Sequence, residues 1–168
     1  MTDMQQGQDA AKKLVDEIKG IRIAMLTTVD EAGVLSSRPM ATQEIEFDGD
    51  IWFFTQADSP KVEDTEQYHQ VNVAYASPSD NRFVSVSGRA TLVRDHKKLE
   101  ELWNPLYKTW FPKGLEDPEL ALLKISVSQA EYWDGPSNKM VQLIGMARAY
   151  VTGNDAALGD NVKLDLSN

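Results

Sequence analysis

The chain has 168 residues, of which 42% are hydrophobic and 26% charged, the balance of one folded globular domain rather than of a disordered chain. Its 17 Lys and Arg stand against 26 Asp and Glu, a formal charge of −9 that opposes binding to nucleic acid or to an anionic membrane surface. Cysteine is absent, which removes disulfides, thiol catalysis and cysteine-bound zinc or iron–sulfur centres. No stretch reaches the roughly 20 consecutive apolar residues of a membrane span. The start, Met1-Thr2-Asp3-Met4-Gln5-Gln6, carries no basic-then-apolar leader, so a cytoplasmic location is expected.

In chain order, Ala11, Leu14, Val15 and Ile18 fall at helical spacing and predict an amphipathic helix over Asp9–Lys19, with Gly20 as the stop. Ile21–Val29 is a strand candidate. Asp30-Glu31-Ala32-Gly33 turns the chain into a second strand over Val34–Thr42. Glu44–Phe47 and Ile51–Thr55 flank Asp48-Gly49-Asp50, a strong hairpin signal because glycine supplies the positive φ of a primed turn. Ser59 to Tyr68 predicts a short helix with Ser59 as N-cap and Pro60 at its first position.

Val71–Tyr75 alternates as a strand, and Arg82–Arg94 does so at length, with Val84, Val86, Gly88, Ala90 and Leu92 on one face. Gly88 at mid-strand marks a bulge, a bend or a close backbone approach. Asp95–Leu102 reads as a helix. Trp103, Tyr107, Trp110 and Phe111 crowd the loop or short helix that follows. Leu122–Trp133 returns to β, Asp134-Gly135-Pro136-Ser137 turns, Lys139–Val151 reads as helical, and the chain from Gly153 is polar. The expectation is one domain over 1–168, with 1–8 and 153–168 loose. Six or seven short antiparallel strands with a few helices make it α+β, a small β-barrel with helical attachments.

Several chemistries leave no trace. His69 and His96 lack metal-ligand spacing, so no metal is expected. There is no G-x-S-x-G nucleophile elbow and no phosphate loop of the Walker or dinucleotide type. Most carboxylates fall on predicted helices, where solvated faces explain them. An enzyme built on this sequence needs a bound cofactor to carry its chemistry.

Thr55-Gln56-Ala57-Asp58-Ser59-Pro60-Lys61 runs from a strand end into a helix start, where free N–H groups and a partial positive charge gather. Lys61 in that first turn is electrostatically misplaced unless an external anion sits beside it; an exposed lysine bearing a small penalty is the other reading. Ser59 caps the helix or donates to the same anion. Arg38 is expected on a strand pairing with Ile51–Thr55, where a guanidinium suits bidentate phosphate capture, although a strand arginine is more often a surface residue.

Together, Ser37-Arg38-Pro39-Met40, Asp48-Gly49-Asp50-Ile51-Trp52-Phe53-Phe54-Thr55 and Ser59-Pro60-Lys61 resemble the FMN-binding split β-barrel, in particular the general-stress branch of the pyridoxamine 5′-phosphate oxidase-like superfamily. Tyr132-Trp133-Asp134-Gly135-Pro136-Ser137 and Gly159-Asp160-Asn161-Val162-Lys163 are similar to that branch as well. The resemblance spans roughly residues 10 to 165. It implies a Greek-key split barrel of six or seven strands and a homodimer with FMN at the subunit interface. By position, Arg38, Lys61 and Ser59 would hold the phosphate, and Pro39, Met40, Phe54 and Thr55 would line the ribityl chain and ring. Trp133 would pack near the flavin, from the partner subunit, with ordinary core or interface packing as its other reading.

The sequence departs from the oxidases of that superfamily on the substrate side. Where they carry a lysine five positions after the motif arginine, this chain has Gln43. After Trp133-Asp134-Gly135 it continues Pro136-Ser137-Asn138-Lys139-Met140, without an Arg-x-His motif. Oxidation of vitamin B6 is therefore not expected. A flavin-dependent oxidoreductase of unknown donor and acceptor and a non-enzymatic flavin carrier, buffer or redox sensor both fit; a different ligand on the same fold is the third reading. The aromatic stretch 103–111 walls a substrate pocket or forms core or dimer surface. A barrel this small leaves edges and apolar positions open, which independently predicts a dimer.

Overall fold

The computed structural model of the chain describes residues 3–43, 49–135 and 160–165. Helix α1 (Asp3–Ile18) begins six residues before the expected Asp9, so most of the supposedly loose start is helical. The chain turns out of it at Gly20, whose φ of +79° is a conformation that a Cβ disfavours. The Arg82 guanidinium closes that end, donating to the carbonyls of Asp16, Glu17 and Lys19 at 3.0, 3.0 and 3.3 Å. It thereby satisfies acceptors that the last helical turn leaves open.

Strands β1 (Ile23–Val29) and β2 (Leu35–Ala41) form the first hairpin, in register from Ile23 opposite Ala41 to Val29 opposite Leu35. Asp30 fixes the turn: its carbonyl accepts the Gly33 N–H at 3.0 Å and its carboxylate the Val34 N–H at 2.9 Å. Strand β3 (Asp50–Gln56), helix α2 (Pro60–Gln67), strands β4 (Gln70–Ser77) and β5 (Arg82–Val93), and helix α3 (His96–Leu102) follow. Two short 3-10 turns (Pro105–Thr109 and Gly114–Glu116) lead into β6 (Leu120–Asp134), and β7 (Asp160–Asp165) completes the set among the described residues. In that same part of the chain no helix is long and apolar enough to cross a membrane.

Every pairing is antiparallel, in the order β2-β1-β4-β5-β6-β3, with β7 also on β6. The long β6 explains this arrangement. One edge carries β5; the other carries β3 up to Ser126 and β7 from Gln129 onward. The expected ladder between Ile51–Thr55 and the strand of Arg38 is not formed: β3 pairs with β6, Phe53 opposite Leu123, and β2 pairs with β1. The other hairpin arm, Glu44–Phe47, lies outside the described residues together with Asp48, as does the helix expected over Lys139–Val151. The tail from Gly153, expected to be loose, contributes β7. The sheet is therefore a curled α+β half-barrel, split where β2 and β3 come side by side without a ladder among the described residues.

The barrel interior is filled by Leu26, Phe53, Val73, Val86, Leu123 and Ile125, among others. Of the readings left open for Gly88, a bulge and a close backbone approach are both realised. The register shifts at Ser87/Gly88, and a Cβ on Gly88 would meet the Ser126 carbonyl oxygen at 2.5 Å. Strand β3 is buried on both faces. Ile51 and Phe53 enter the barrel; Trp52 and Phe54 enter a second cluster with Leu99, Leu102, Leu120 and Leu122. This two-sided burial carries the chain from the core to the split.

Candidate functional site

A cleft of about 310 Å³ opens at the split, between β2, the end of β3, the start of α2 and the aromatic turn after α3. Its polar end is built from Thr55, Ser59 and Lys61. Thr55 is the last buried residue of β3, and Ser59 and Pro60 turn the chain into α2. The Ser59 side chain makes no capping bond to the helix. Its hydroxyl instead accepts from Lys61 Nζ at 3.2 Å and lies 3.4 Å from the Thr55 hydroxyl. Of the two roles the sequence left open for Ser59, capping is not the one adopted.

Burial, and secondarily the charge of Arg38, hold the Lys61 ammonium below its ordinary pKa. Lys61 on α2 thus feels the charge of Arg38 on β2, although β2 does not pair with β3, the strand that leads into α2. Arg38 stands behind the cleft wall rather than in it, half-buried on the inward face of β2 with Met40. Its Nη1 donates to the Thr28 hydroxyl at 2.7 Å and to the Leu26 carbonyl at 3.3 Å. Burial lowers its pKa too, and the Asp64 carboxylate partly offsets that. Among the described residues neither cation forms an ion pair. Two half-buried, mutually repelling cations beside two hydroxyls favour an anion carrying more than one charge.

The opposite end is aromatic. The Phe54 ring lies 5.5, 5.2 and 6.2 Å from those of Trp103, Tyr107 and Phe111. Phe54, Tyr107, Phe111 and the 58% exposed Trp110 border the cleft, facing Pro39 and Met40 of β2. Asn104 sets this wall in place: its side-chain oxygen accepts the Leu106 N–H at 3.0 Å and starts the 3-10 turn that carries Tyr107 over Phe54.

Six of the residues singled out by sequence therefore border one cleft: Pro39, Met40, Phe54, Thr55, Ser59 and Lys61. Arg38 lies against it. Trp133 does not; it sits opposite Phe83 and Asn161 toward the far end of β6, 38% exposed. Sequence reasoning missed Gln43 as a wall residue, and Thr28 and Asp64 altogether. Gln43 Oε1 accepts from the Tyr107 hydroxyl at 3.0 Å, while its Nε2 is buried without a partner among the described residues. For the aromatic stretch the density of rings was a signal, but it did not choose between core and pocket.

A larger cavity, about 410 Å³, lies between the end of α1 and β3, lined in the main by Val15, Ile18, Ile51, Trp52 and Tyr75. Its single described cation is Lys19, so it offers no paired charges for an anion. Among the described residues no group of three His, Cys, Asp or Glu is placed to hold a metal ion. The smaller cleft thus joins a cationic, hydroxyl-bearing end to an aromatic one.

The family model described as "Pyridoxamine 5'-phosphate oxidase like" matches residues 9–157. The chain is 29% identical over 147 residues to Protein bli-3 of Neurospora crassa, covering 82% of this chain and 70% of that protein. Among solved structures, it is 34% identical to the general stress FMN/FAD binding protein from Xanthomonas citri, with a TM-score of 0.63 over 76% of this chain and 89% of the other. General Stress Protein 26 from Bacillus anthracis is 27% identical, with a TM-score of 0.64 over 73% and 92%.

Proposed function

The chain belongs to the pyridoxamine 5′-phosphate oxidase-like family, and we propose that its cleft binds FMN in a homodimeric, flavin-dependent oxidoreductase of the general-stress branch. The observation that carries this reading is the gathering of Lys61, Ser59 and Thr55, with the charge of Arg38 behind them, at one end of a cleft whose other end is aromatic. A similar protein from Xanthomonas citri is described as binding FMN or FAD. The terminal phosphate of FMN matches a site with two cations.

In this reading Lys61 and Ser59 hold the phosphate directly and Arg38 adds its charge from behind. Pro39, Met40, Phe54 and Thr55 line the ribityl chain and ring, and the aromatic wall excludes water from the ring's apolar side. FMN, when bound, supplies the electron transfer that the side chains do not. Gln43 is neutral, which is why a phosphorylated B6 vitamer is not the proposed substrate.

A second copy completes the site. At about 310 Å³ the cleft is at the small end of ligand pockets. Ile23, on its rim, and Met25 are exposed on β1, and beyond the Thr27–Ser37 pair of the same hairpin face Val34 and Leu35 are exposed as well, so the hairpin offers apolar side chains at both of its ends. Pairing through this hairpin face buries those side chains and adds a wall to the cleft. It also leaves Trp133, remote from its own chain's cleft, available to the partner's flavin. The acidic, cysteine-free composition suits a reducing cytoplasm.

One observation favours a carrier or redox sensor as the second reading: among the described residues, no imidazole, thiol or carboxylate borders the cleft. Titration with FMN tests the binding. Wild type is expected to quench and bind it, and R38A and K61A to bind about ten-fold or more weakly each. Absence of flavin affinity in wild type overturns the proposal. Steady-state oxidation of NAD(P)H with a panel of acceptors then separates enzyme from carrier.

A further inference from the structure

Arg38 is an arginine turned inward, and what holds it there is a short chain of hydrogen bonds across three elements. Its Nη1 donates to the hydroxyl of Thr28 on β1 at 2.7 Å, and that hydroxyl donates in turn to Asp64 Oδ2 on α2 at 3.2 Å. Thr28 is 1% exposed, so water does not substitute for either partner. The direction of the chain is set by chemistry. A guanidinium only donates, so the Thr28 oxygen accepts from Arg38 and its own O–H is donated to Asp64 Oδ2. The Leu26 carbonyl, at 3.3 Å from the same Nη1, adds a second acceptor. One edge of the guanidinium is committed to these partners, which fixes the plane in which its other N–H groups lie.

We infer that Thr28 and Asp64 are positioning residues for the anion site: they orient Arg38 toward the phosphate of the bound ligand without touching that ligand. The inference rests on the reading of the cleft as the seat of a phosphate-bearing flavin. Anchored on α2, whose first turn carries Lys61, the relay also fixes the spacing of the two cations. A relay that serves only the phosphate leaves the remainder of the flavin unaffected, and that separates it from a general structural role.

The experiment compares FMN with riboflavin, which has the same ring and ribityl chain but no phosphate, in wild type, R38A, T28V, T28S and D64A. Wild type is expected to prefer FMN and R38A to lose that preference. T28V is expected to lower it about ten-fold while riboflavin affinity stays within about two-fold. T28S, which restores the hydroxyl, is expected to restore the preference. D64A should lower it in the same direction, and serves alone if T28V does not fold.

Failure of wild type to prefer FMN, or retention of the preference in R38A, overturns the phosphate reading itself. With those two results as expected, full preference for FMN in T28V or D64A overturns the relay alone. An equal loss of FMN and riboflavin affinity also overturns it, by making Thr28 merely structural.

Discussion

Lys61 Nζ lies 3.2 Å from the hydroxyl of Ser59, the residue that opens the helix whose first turn Lys61 occupies. A lysine there opposes the helix dipole, and a serine there ordinarily caps. In this chain neither residue follows its local preference, and both face the same cleft.

This pairing predicts a pH dependence. Burial and Arg38 hold the folded-state pKa of Lys61 below its ordinary 10.5. The protonated form is therefore disfavoured in the ligand-free fold. That penalty is fully present below the folded pKa and disappears as pH rises from there to 10.5, where the unfolded chain also loses its proton. Lys61→Met is expected to stabilise the ligand-free protein at neutral pH, with the advantage shrinking toward 10.5. Denaturant unfolding of both proteins across that range checks it; an advantage independent of pH contradicts it. FMN affinity runs the other way, weakening as Lys61 loses its proton.

Trp110 separates binding from stability. It is 58% exposed on the aromatic rim, so Trp110→Ala is expected to change unfolding free energy by no more than about 0.5 kcal/mol. Loss of its ring contact is expected to weaken FMN about 3- to 10-fold. Thermal melting and flavin titration on the same sample test both halves.

Leu35 is 72% exposed on the β1–β2 hairpin. In an isolated chain Leu35→Glu costs almost nothing, whereas at a dimer interface it buries an unpaired charge. Light scattering is expected to show a dimer for wild type and a monomer for the variant. A monomeric wild type at micromolar concentration contradicts the dimer.

Gly88 and Gly20 test two different reasons for glycine. At Gly88 an added Cβ meets backbone at 2.5 Å and the Ile125 side chain at 2.9 Å, so Gly88→Ala is expected to destabilise by about 2 kcal/mol. At Gly20 nothing lies within 4 Å, and only the φ of +79° is unfavourable. Gly20→Ala is expected to cost about 1 kcal/mol. Urea denaturation orders the two.

Periodicity exposed most strands because β1, β4, β5 and the part of β6 beyond Leu123 alternate between a more exposed and a buried face. Strand β3 showed as a strand but not by its partner. A strand buried on both faces carries no facial pattern to fix its neighbour, and its actual partner, β6, lies some seventy residues away in the chain. The tail strand β7 was invisible for a related reason: an edge position on a long strand needs only a free ladder, which composition does not reveal.

The sequence by itself determined most of the strands and helices, the turns at Gly20 and Gly33, an irregularity at Gly88 and the anion-seeking character of Ser59-Pro60-Lys61, because each follows from backbone geometry within a few residues. The tertiary structure alone decided that Arg38 meets Lys61 through Thr28 and α2 rather than through a shared ladder, and that the aromatic turn closes over Phe54. Those contacts join residues far apart along the chain, and their geometry is set by how the sheet curls. Local propensity contains no information about that curvature.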